Sequence, residues 1–142
     1  MTTKISLRRL LLAAVLSLTA AVAFARSTDL VQPTHTEITT AKPVTTAFVR
    51  NAILAGSQHH GWKPVADAPG LMTLEAATGA HTVTVDVAYD AHGFQVKFKS
   101  SANMNQEGSG DHITIHPHVN KWLSDLNDDI LAAVQALAMQ TR

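Results

Sequence analysis

The chain contains no cysteine, and this absence excludes several classes of protein at once. Without thiols there are no disulfides, no cysteine-ligated zinc or iron–sulfur cluster, no thiol nucleophile and no lipid-modified N-terminal cysteine. The chain also has no net charge with histidine neutral, because 11 basic residues balance 11 acidic ones. Nucleic-acid binding needs a clear basic excess to neutralise phosphates. We therefore expect no nucleic-acid partner.

Charged residues make up only 15% of the 142 residues, whereas hydrophobic residues reach 46%. This balance excludes disorder along the whole chain, since a disordered chain is rich in charge and poor in apolar residues. The length suits one ordinary domain and leaves little room for a second.

Residues 1–25 have the three parts of a secretory signal. A basic segment without acidic residues precedes the apolar run 10–23, which is shorter than the roughly 20 residues that span a bilayer. Ala23 and Ala25 are the small residues that a signal peptidase reads, and they predict cleavage before Arg26. We expect a soluble protein of the Gram-negative periplasm, without a stable membrane anchor after cleavage.

Cleavage would remove three basic residues and leave 8 basic and 11 acidic ones, a net charge of −3 with histidine neutral. Residues 26–43 are rich in threonine, contain two prolines and show no apolar period, which predicts a flexible leader. The remainder, residues 44–142, is predicted to form a single α+β domain.

Apolar spacing predicts a first helix that begins after Thr45 or Thr46 and ends at Gly56 or Gly61. Four strands should follow, and their predicted ranges are 62–66, 71–77, 82–89 and 94–99. In the last two strands apolar and polar side chains alternate, and this pattern predicts how the strands pair. Three apolar pairs should face the core, and one charged pair should face outward. The expected pairs are Tyr89 with Phe94, Val87 with Val96, Val85 with Phe98, and Asp86 with Lys97.

A polar, glycine-containing loop is expected over residues 100–111, then a brief extended piece at 113–115. Pro117 should open a last helix with an apolar stripe at spacings of three and four. The predicted fold is a two-layer α+β sandwich, a four-stranded antiparallel meander with an N-terminal and a C-terminal helix (α-β-β-β-β-α).

Several segments between Gly61 and Ile130 form a distinctive series. They are Gly61-Trp62, Pro69-Gly70-Leu71, Val83–Tyr89 with Asp90, Ser101–Met104 and, most specifically, Ile115–Leu123 followed by Leu126. The series resembles a family of small exported bacterial proteins and lipoproteins that read GW, then Y-S-x-N-L, then I-H-x-x-Y-N-x-W. Here Val119 stands where the family often has tyrosine, and the lipoprotein cysteine is absent. The resemblance supports the fold and export, and it implies no mechanism.

Eight histidines are the one compositional oddity. His112, His116 and His118 are separated by even numbers of residues, so a continuous strand would place all three on the same face. Asp111 or Asp125 could add an oxygen ligand. Such a set suggests a Zn or Cu site. In the other interpretation Pro117 ends the strand and the histidines are surface residues. No other cofactor is expected.

The adjacent pair His59-His60 ends the first predicted helix, where cationic side chains complement the carbonyl end. We interpret the pair as a cap, with metal ligation as the alternative. Protonation of the eight histidines would move the net charge of the mature chain from −3 toward +5, which suggests charge-controlled binding as a further alternative.

No sequence motif indicates an enzyme. The stretch Gly108–His112 contains Ser, Asp and His, but sequence neighbours do not assemble a catalytic triad. The preferred hypothesis is a non-catalytic binding or accessory module of the cell envelope, whose partner is an envelope protein or a small ligand. Its expected working surface is the segment 100–118. The candidate interaction residues are Ser101, Asn103, Asn105 and Asn120.

Overall fold

The computed structural model describes residues 27–141. The predicted signal sequence, with Ala23, Ala25 and Arg26, lies outside the described residues. The elements in chain order are β1 (Thr28–Asp29), β2 (Thr36–Glu37), α1 (Thr46–Ser57), a 3₁₀ turn (Gln58–His60), β3 (Lys63–Ala68), β4 (Leu71–Thr78), β5 (His81–Tyr89), β6 (Gly93–Ala102), β7 (Glu107–Ser109), β8 (His112–Ile115) and α2 (Pro117–Gln140).

Two antiparallel sheets and two helices make up the described part of the chain, which confirms the α+β class. The five-stranded sheet has the order β2-β6-β5-β4-β3, and the three-stranded sheet has the order β1-β8-β7. The predicted meander is present as β3 to β6, but a simple four-stranded sheet is not what forms. Strand β2 is the fifth strand, and β1, β7 and β8 form the second sheet. Of these four strands only β8 has apolar alternation, at Ile113 and Ile115, where the sequence predicted a brief extended piece.

The predicted register of the β5–β6 hairpin is confirmed. Tyr89 pairs with Phe94, Val87 with Val96, Val85 with Phe98, and Asp86 with Lys97. A slip of one residue would move the apolar side chains of one strand to the opposite face, and the short turn between Tyr89 and Phe94 selects among the remaining registers. A bulge between Thr84 and Val85 then shifts the pairing of the remaining residues.

The segment 100–111, predicted to be a loop, contains regular structure. Strand β6 continues to Ala102, and β7 pairs with β8 through Glu107–Thr114, Gly108–Ile113 and Ser109–His112. All three residues of β7 are exposed. The pairing there is made by backbone hydrogen bonds without burial of side chains, and a hydrophobic pattern cannot report it.

The segment predicted to be a flexible leader supplies β1 and β2, which pair with β8 and β6 respectively. Side-chain amides hold it further. Asn120 donates to the backbone oxygen of Asp29 (2.8 Å) and accepts from the backbone N–H of Val31 (2.9 Å). Gln32 accepts from the backbone N–H of Phe98 (2.7 Å). Polar contacts of this kind leave no periodic signal in the sequence.

Both helices pack on the inner face of the five-stranded sheet, and together they enclose the core. Thr45 caps α1 by accepting from the backbone N–H of Phe48 (3.1 Å), and Pro117 occupies the first turn of α2. The fully buried side chains with the largest volume are Phe94, Ile53, Met72, Leu74, Ile115, Leu123, Leu126 and Ile130. Within residues 27–141, neither helix combines the length and the hydropathy that a membrane span requires.

The β5–β6 turn is held by Asp90, whose Oδ1 accepts from the backbone N–H groups of His92 (2.7 Å) and Gly93 (3.0 Å). These bonds favour the carboxylate form and lower the pKa of Asp90, the His92 bond most strongly. Because the folded pKa lies below the unfolded one, the stabilisation is present above the ordinary carboxyl range. It is lost as the pH falls through the folded pKa.

We therefore expect Asp90→Ala to destabilise the protein at about pH 7 and to have a smaller effect at about pH 2, where a larger share of the carboxyl group is protonated. Urea unfolding of both proteins at the two pH values measures the difference. The exposed Asp128 on α2 provides the control, since Asp128→Ala should lack this pH dependence. An equal loss of stability from Asp90→Ala at both pH values would show that the charge of Asp90 is not involved.

Candidate functional site

Two surface cavities meet at one end of the five-stranded sheet, beside the first turns of α2. Their volumes are about 390 Å³ and about 340 Å³, each within the size range of small-ligand sites. They share Thr78, His118 and Trp122. The first is otherwise lined by His60, Trp62, Ala76, Ala77, Lys121 and Asp125, and the second by His81, Asn103, Met104, Asn105 and His116. We call the combined surface the His/Trp groove.

The loop after β6 forms one wall of the groove and is fixed by its own backbone. Asn103 and Asn105 have positive φ angles of 56° and 52°, values that asparagine tolerates better than most residues. Between them, Met104 is buried. The Asn103 amide donates to the backbone oxygen of Ala80 (2.6 Å), which joins the loop to the β4–β5 turn.

The start of α2 forms the opposite wall. His116 is the N-cap residue, and its Nδ1 accepts from the backbone N–H of His118 (3.2 Å). The backbone N–H of His116 in turn donates to the oxygen of Met104 (2.8 Å). The rings of His116 and His118 lie edge to face with centroids 4.8 Å apart. The helix start and the loop are therefore held together at the groove.

Hydrogen bonds also determine what two imidazoles offer to a ligand. His81 donates from Nδ1 to the carbonyl oxygen of Asn103 (2.7 Å), so in the neutral ring Nε2 is an acceptor. His116 accepts at Nδ1, so its neutral ring carries the proton on Nε2 and donates there. The groove thus offers an acceptor and a donor from two rings that are fixed by backbone contacts.

The charged side chains of the groove are paired within the chain. Lys121 contacts both carboxylate oxygens of Asp125, at 2.6 and 2.9 Å, one turn along α2. His60 lies 2.5 Å from a carboxylate oxygen of Asp129. With histidine neutral, Lys121 and Asp125 balance each other. Protonation of the imidazoles would make the groove positive.

The structure places the four predicted interaction residues on two different surfaces. Asn103 and Asn105 line the His/Trp groove. Ser101, near the end of β6, donates to the side-chain oxygen of Gln106 in the loop that follows (2.8 Å) and lines neither cavity. Asn120 lies on α2 and holds the segment 29–31 instead, so it does not face the groove with Asn103 and Asn105.

Of the three histidines predicted as metal ligands, the structure brings two together. His116 and His118 are neighbours at the start of α2. His112 begins β8 opposite Ser109, and four residue steps along an extended chain place it roughly 13 Å from His116. Within residues 27–141, three ligand atoms within 4.8 Å of one another are found in a different set, His59, His60 and Asp129.

Sequence reasoning did not assign Trp62, Trp122 and Lys121 to a binding surface. The sequence pattern favours a role as core or half-buried packing residues for both tryptophans, and Trp62 is indeed buried, with 3% of its surface exposed. Trp122 is half-buried, and both rings line the groove. Nothing in the sequence indicates that the two residues share a surface, because Trp62 precedes β3 and Trp122 lies in α2, and these segments meet only in the folded chain.

A third cavity, of about 400 Å³, lies between α1 and the β3–β4 turn. The two charged residues that line it, Arg50 and Asp67, pair with each other. Arg50 donates to Oδ2 of Asp67 from Nε (2.9 Å) and also from Nη2. The Asp67 carboxylate raises the pKa of Arg50, mainly through this hydrogen bonding. The His/Trp groove is the better candidate, because His81 and His116 line it and use only Nδ1 in hydrogen bonds within the chain. Nε2 of each ring therefore remains for a ligand.

Comparison with known proteins gives no match to a family model, to a curated protein or to a solved structure.

Proposed function

We propose that this protein is a non-catalytic binding module of the bacterial cell envelope, and that the His/Trp groove holds a small anionic ligand with an apolar ring. The observation that carries this proposal is the junction of the two cavities at Thr78, His118 and Trp122. Export is inferred from the signal pattern of residues 1–25.

The chemistry of the lining favours this class of ligand. Trp122 offers a half-exposed indole face, on which a ring can stack. His116 offers an Nε2 donor in its neutral form, and Lys121 lies at the edge with its charge shared with Asp125. An anion gains further from any imidazole that becomes protonated. Apolar walls with a few placed polar groups are typical of small-molecule sites.

The test uses 8-anilinonaphthalene-1-sulfonate, an aromatic anion whose emission rises in apolar surroundings. We expect saturable binding of one equivalent to the natively folded protein. The emission of the protein should change with it, because both of its tryptophans line the groove. The charged or titratable groups facing the groove are His60, His81, His116, His118, Lys121 and Asp125, with Asp129 behind His60.

Thr78→Phe is the critical variant, since Thr78 is exposed and lines both cavities. A phenyl ring there should fill the groove and abolish binding of the dye, and His118→Ala should weaken it. His92→Ala, in the β5–β6 turn, is the matched control and should bind normally. Equal binding by Thr78→Phe would overturn the proposal. Non-saturable binding would do the same, because loosely folded states also bind this dye.

A further inference from the structure

A second cluster of polar side chains lies where the 3₁₀ turn after α1 meets α2. His59, His60 and Asp129 each place one ligand atom within 4.8 Å of the other two. Nδ1 of His59 lies 3.4 Å from Oδ1 of Asp129, and Nδ1 of His60 lies 2.5 Å from Oδ2. One carboxylate therefore contacts two imidazoles that are adjacent in sequence but 69 residues or more away from it.

The backbone on both sides of this cluster is held in place. At Gly56, α1 approaches α2 so closely that an added Cβ would lie 2.7 Å from the backbone oxygen of Asp129. The 3₁₀ turn ends at Gly61, which has a φ angle of 75°. The backbone N–H of the buried Trp62 donates to the backbone oxygen of Ser57 (3.0 Å). Sites whose ligands are carried by fixed elements need little reorganisation to bind.

We propose that His59, His60 and Asp129 form a binding site for a divalent first-row transition-metal ion, for which Zn²⁺ is the probe. Neutral imidazole nitrogen and carboxylate oxygen are preferred ligands of this ion. Tetrahedral zinc with bonds of about 2.0–2.1 Å separates its ligand atoms by about 3.3 Å, close to the 3.4 Å between His59 and Asp129. Rotation of the exposed His60 ring supplies the additional separation from Asp129.

Three protein ligands leave a fourth position of a tetrahedral ion for water. The ion would also join the end of α1 to α2, so its binding should stabilise the fold by mass action. The site adjoins the groove, since His60 also lines it. It goes beyond the proposed function, because it uses a different ligand chemistry and needs neither tryptophan.

The competing interpretation of the same contacts is a pair of protonated imidazoles that cap the end of α1 and bind Asp129. The two interpretations respond oppositely to pH. A metal site requires neutral imidazoles and is lost in acid, whereas an imidazolium–carboxylate contact strengthens as histidine gains its proton. Zinc titration at two pH values therefore distinguishes them.

The experiment is calorimetric titration of the untagged protein, purified after expression of the full chain, with Zn²⁺ at about pH 7.5, together with thermal unfolding. We expect one equivalent to bind and to raise the unfolding temperature, and binding to be lost near pH 5.5. His59→Ala and Asp129→Asn should each weaken binding by about tenfold or more. His59→Ala is safe for folding because 73% of the side chain is exposed.

His118→Ala is the matched control, since it removes an imidazole of the groove and should leave zinc binding intact. Absence of saturable binding of one equivalent would overturn the site, and so would unchanged binding by His59→Ala. Loss of zinc binding in His118→Ala alone would move the metal to the start of α2 and also overturn it. Thr78→Phe, which blocks the groove, should bind zinc normally, so failure of one proposal is separable from failure of the other.

Discussion

Replacement of Phe94 by alanine is expected to lower the free energy of unfolding by about 3–5 kcal/mol, the usual cost of removing a buried phenyl ring. Phe94 is fully buried and is the largest of the fully buried side chains. It lies on β6 between two neighbouring strands, opposite Tyr89 on β5 and Thr36 on β2. The surrounding backbone is therefore hydrogen-bonded on both sides and can relax little into the space left behind. Urea unfolding at equilibrium measures the loss.

The control is Phe98→Ala on the same strand. Phe98 lies four residues after Phe94 on the same face of the strand, and the sequence pattern alone predicts that both are buried. In the structure Phe98 is only partly buried at the margin of the core, so its loss should cost about 1–2 kcal/mol. Equal costs for the two variants would show that the core does not extend around Phe94 in the way the structure describes.

Substitution of Gly56 by alanine is expected to cost about 2 kcal/mol. Alanine favours a helix over glycine by about 1 kcal/mol, so propensity alone predicts a gain. An added Cβ would instead lie 2.7 Å from the oxygen of Asp129 and from Cα of Ile130. Both atoms belong to the backbone of α2 and cannot rotate away, so the two helices must separate. Overpacking of this kind costs about 1–3 kcal/mol.

The neighbouring residue provides the matched control, since Ala55 lies on the exposed side of α1. Ala55→Gly should lose about 1 kcal/mol from helix propensity alone. Both substitutions therefore destabilise, although they are chemically opposite. Stabilisation by Gly56→Ala in thermal or urea unfolding would contradict the close approach of α1 and α2.

The sequence predicted some residues of the candidate site and missed others for an identifiable reason. Asn103 and Asn105 stood out as amides in a glycine-containing segment, and the structure places both at the His/Trp groove. Because Trp122 belongs to the apolar stripe of the last helix, the pattern predicts a core or half-buried packing residue. Such a stripe identifies the helix face that packs on the core, but it does not show which residues of that face lie at the edge of the core. In the structure Trp122 is half-buried and lines the groove beside Thr78 of β4.

The amino-acid sequence by itself determined the α+β class, the β5–β6 register and the start of the last helix at Pro117. These features follow from interactions between near neighbours, because side-chain alternation, helical spacing and the fixed φ of proline act over a few residues. Only the tertiary structure decided the second sheet, the His/Trp groove and the cluster of His60 with Asp129. The groove, the cluster and the pairing of β1 with β8 each join segments far apart in the chain. They do so through backbone bonds or surface contacts, which leave no periodic trace in the sequence.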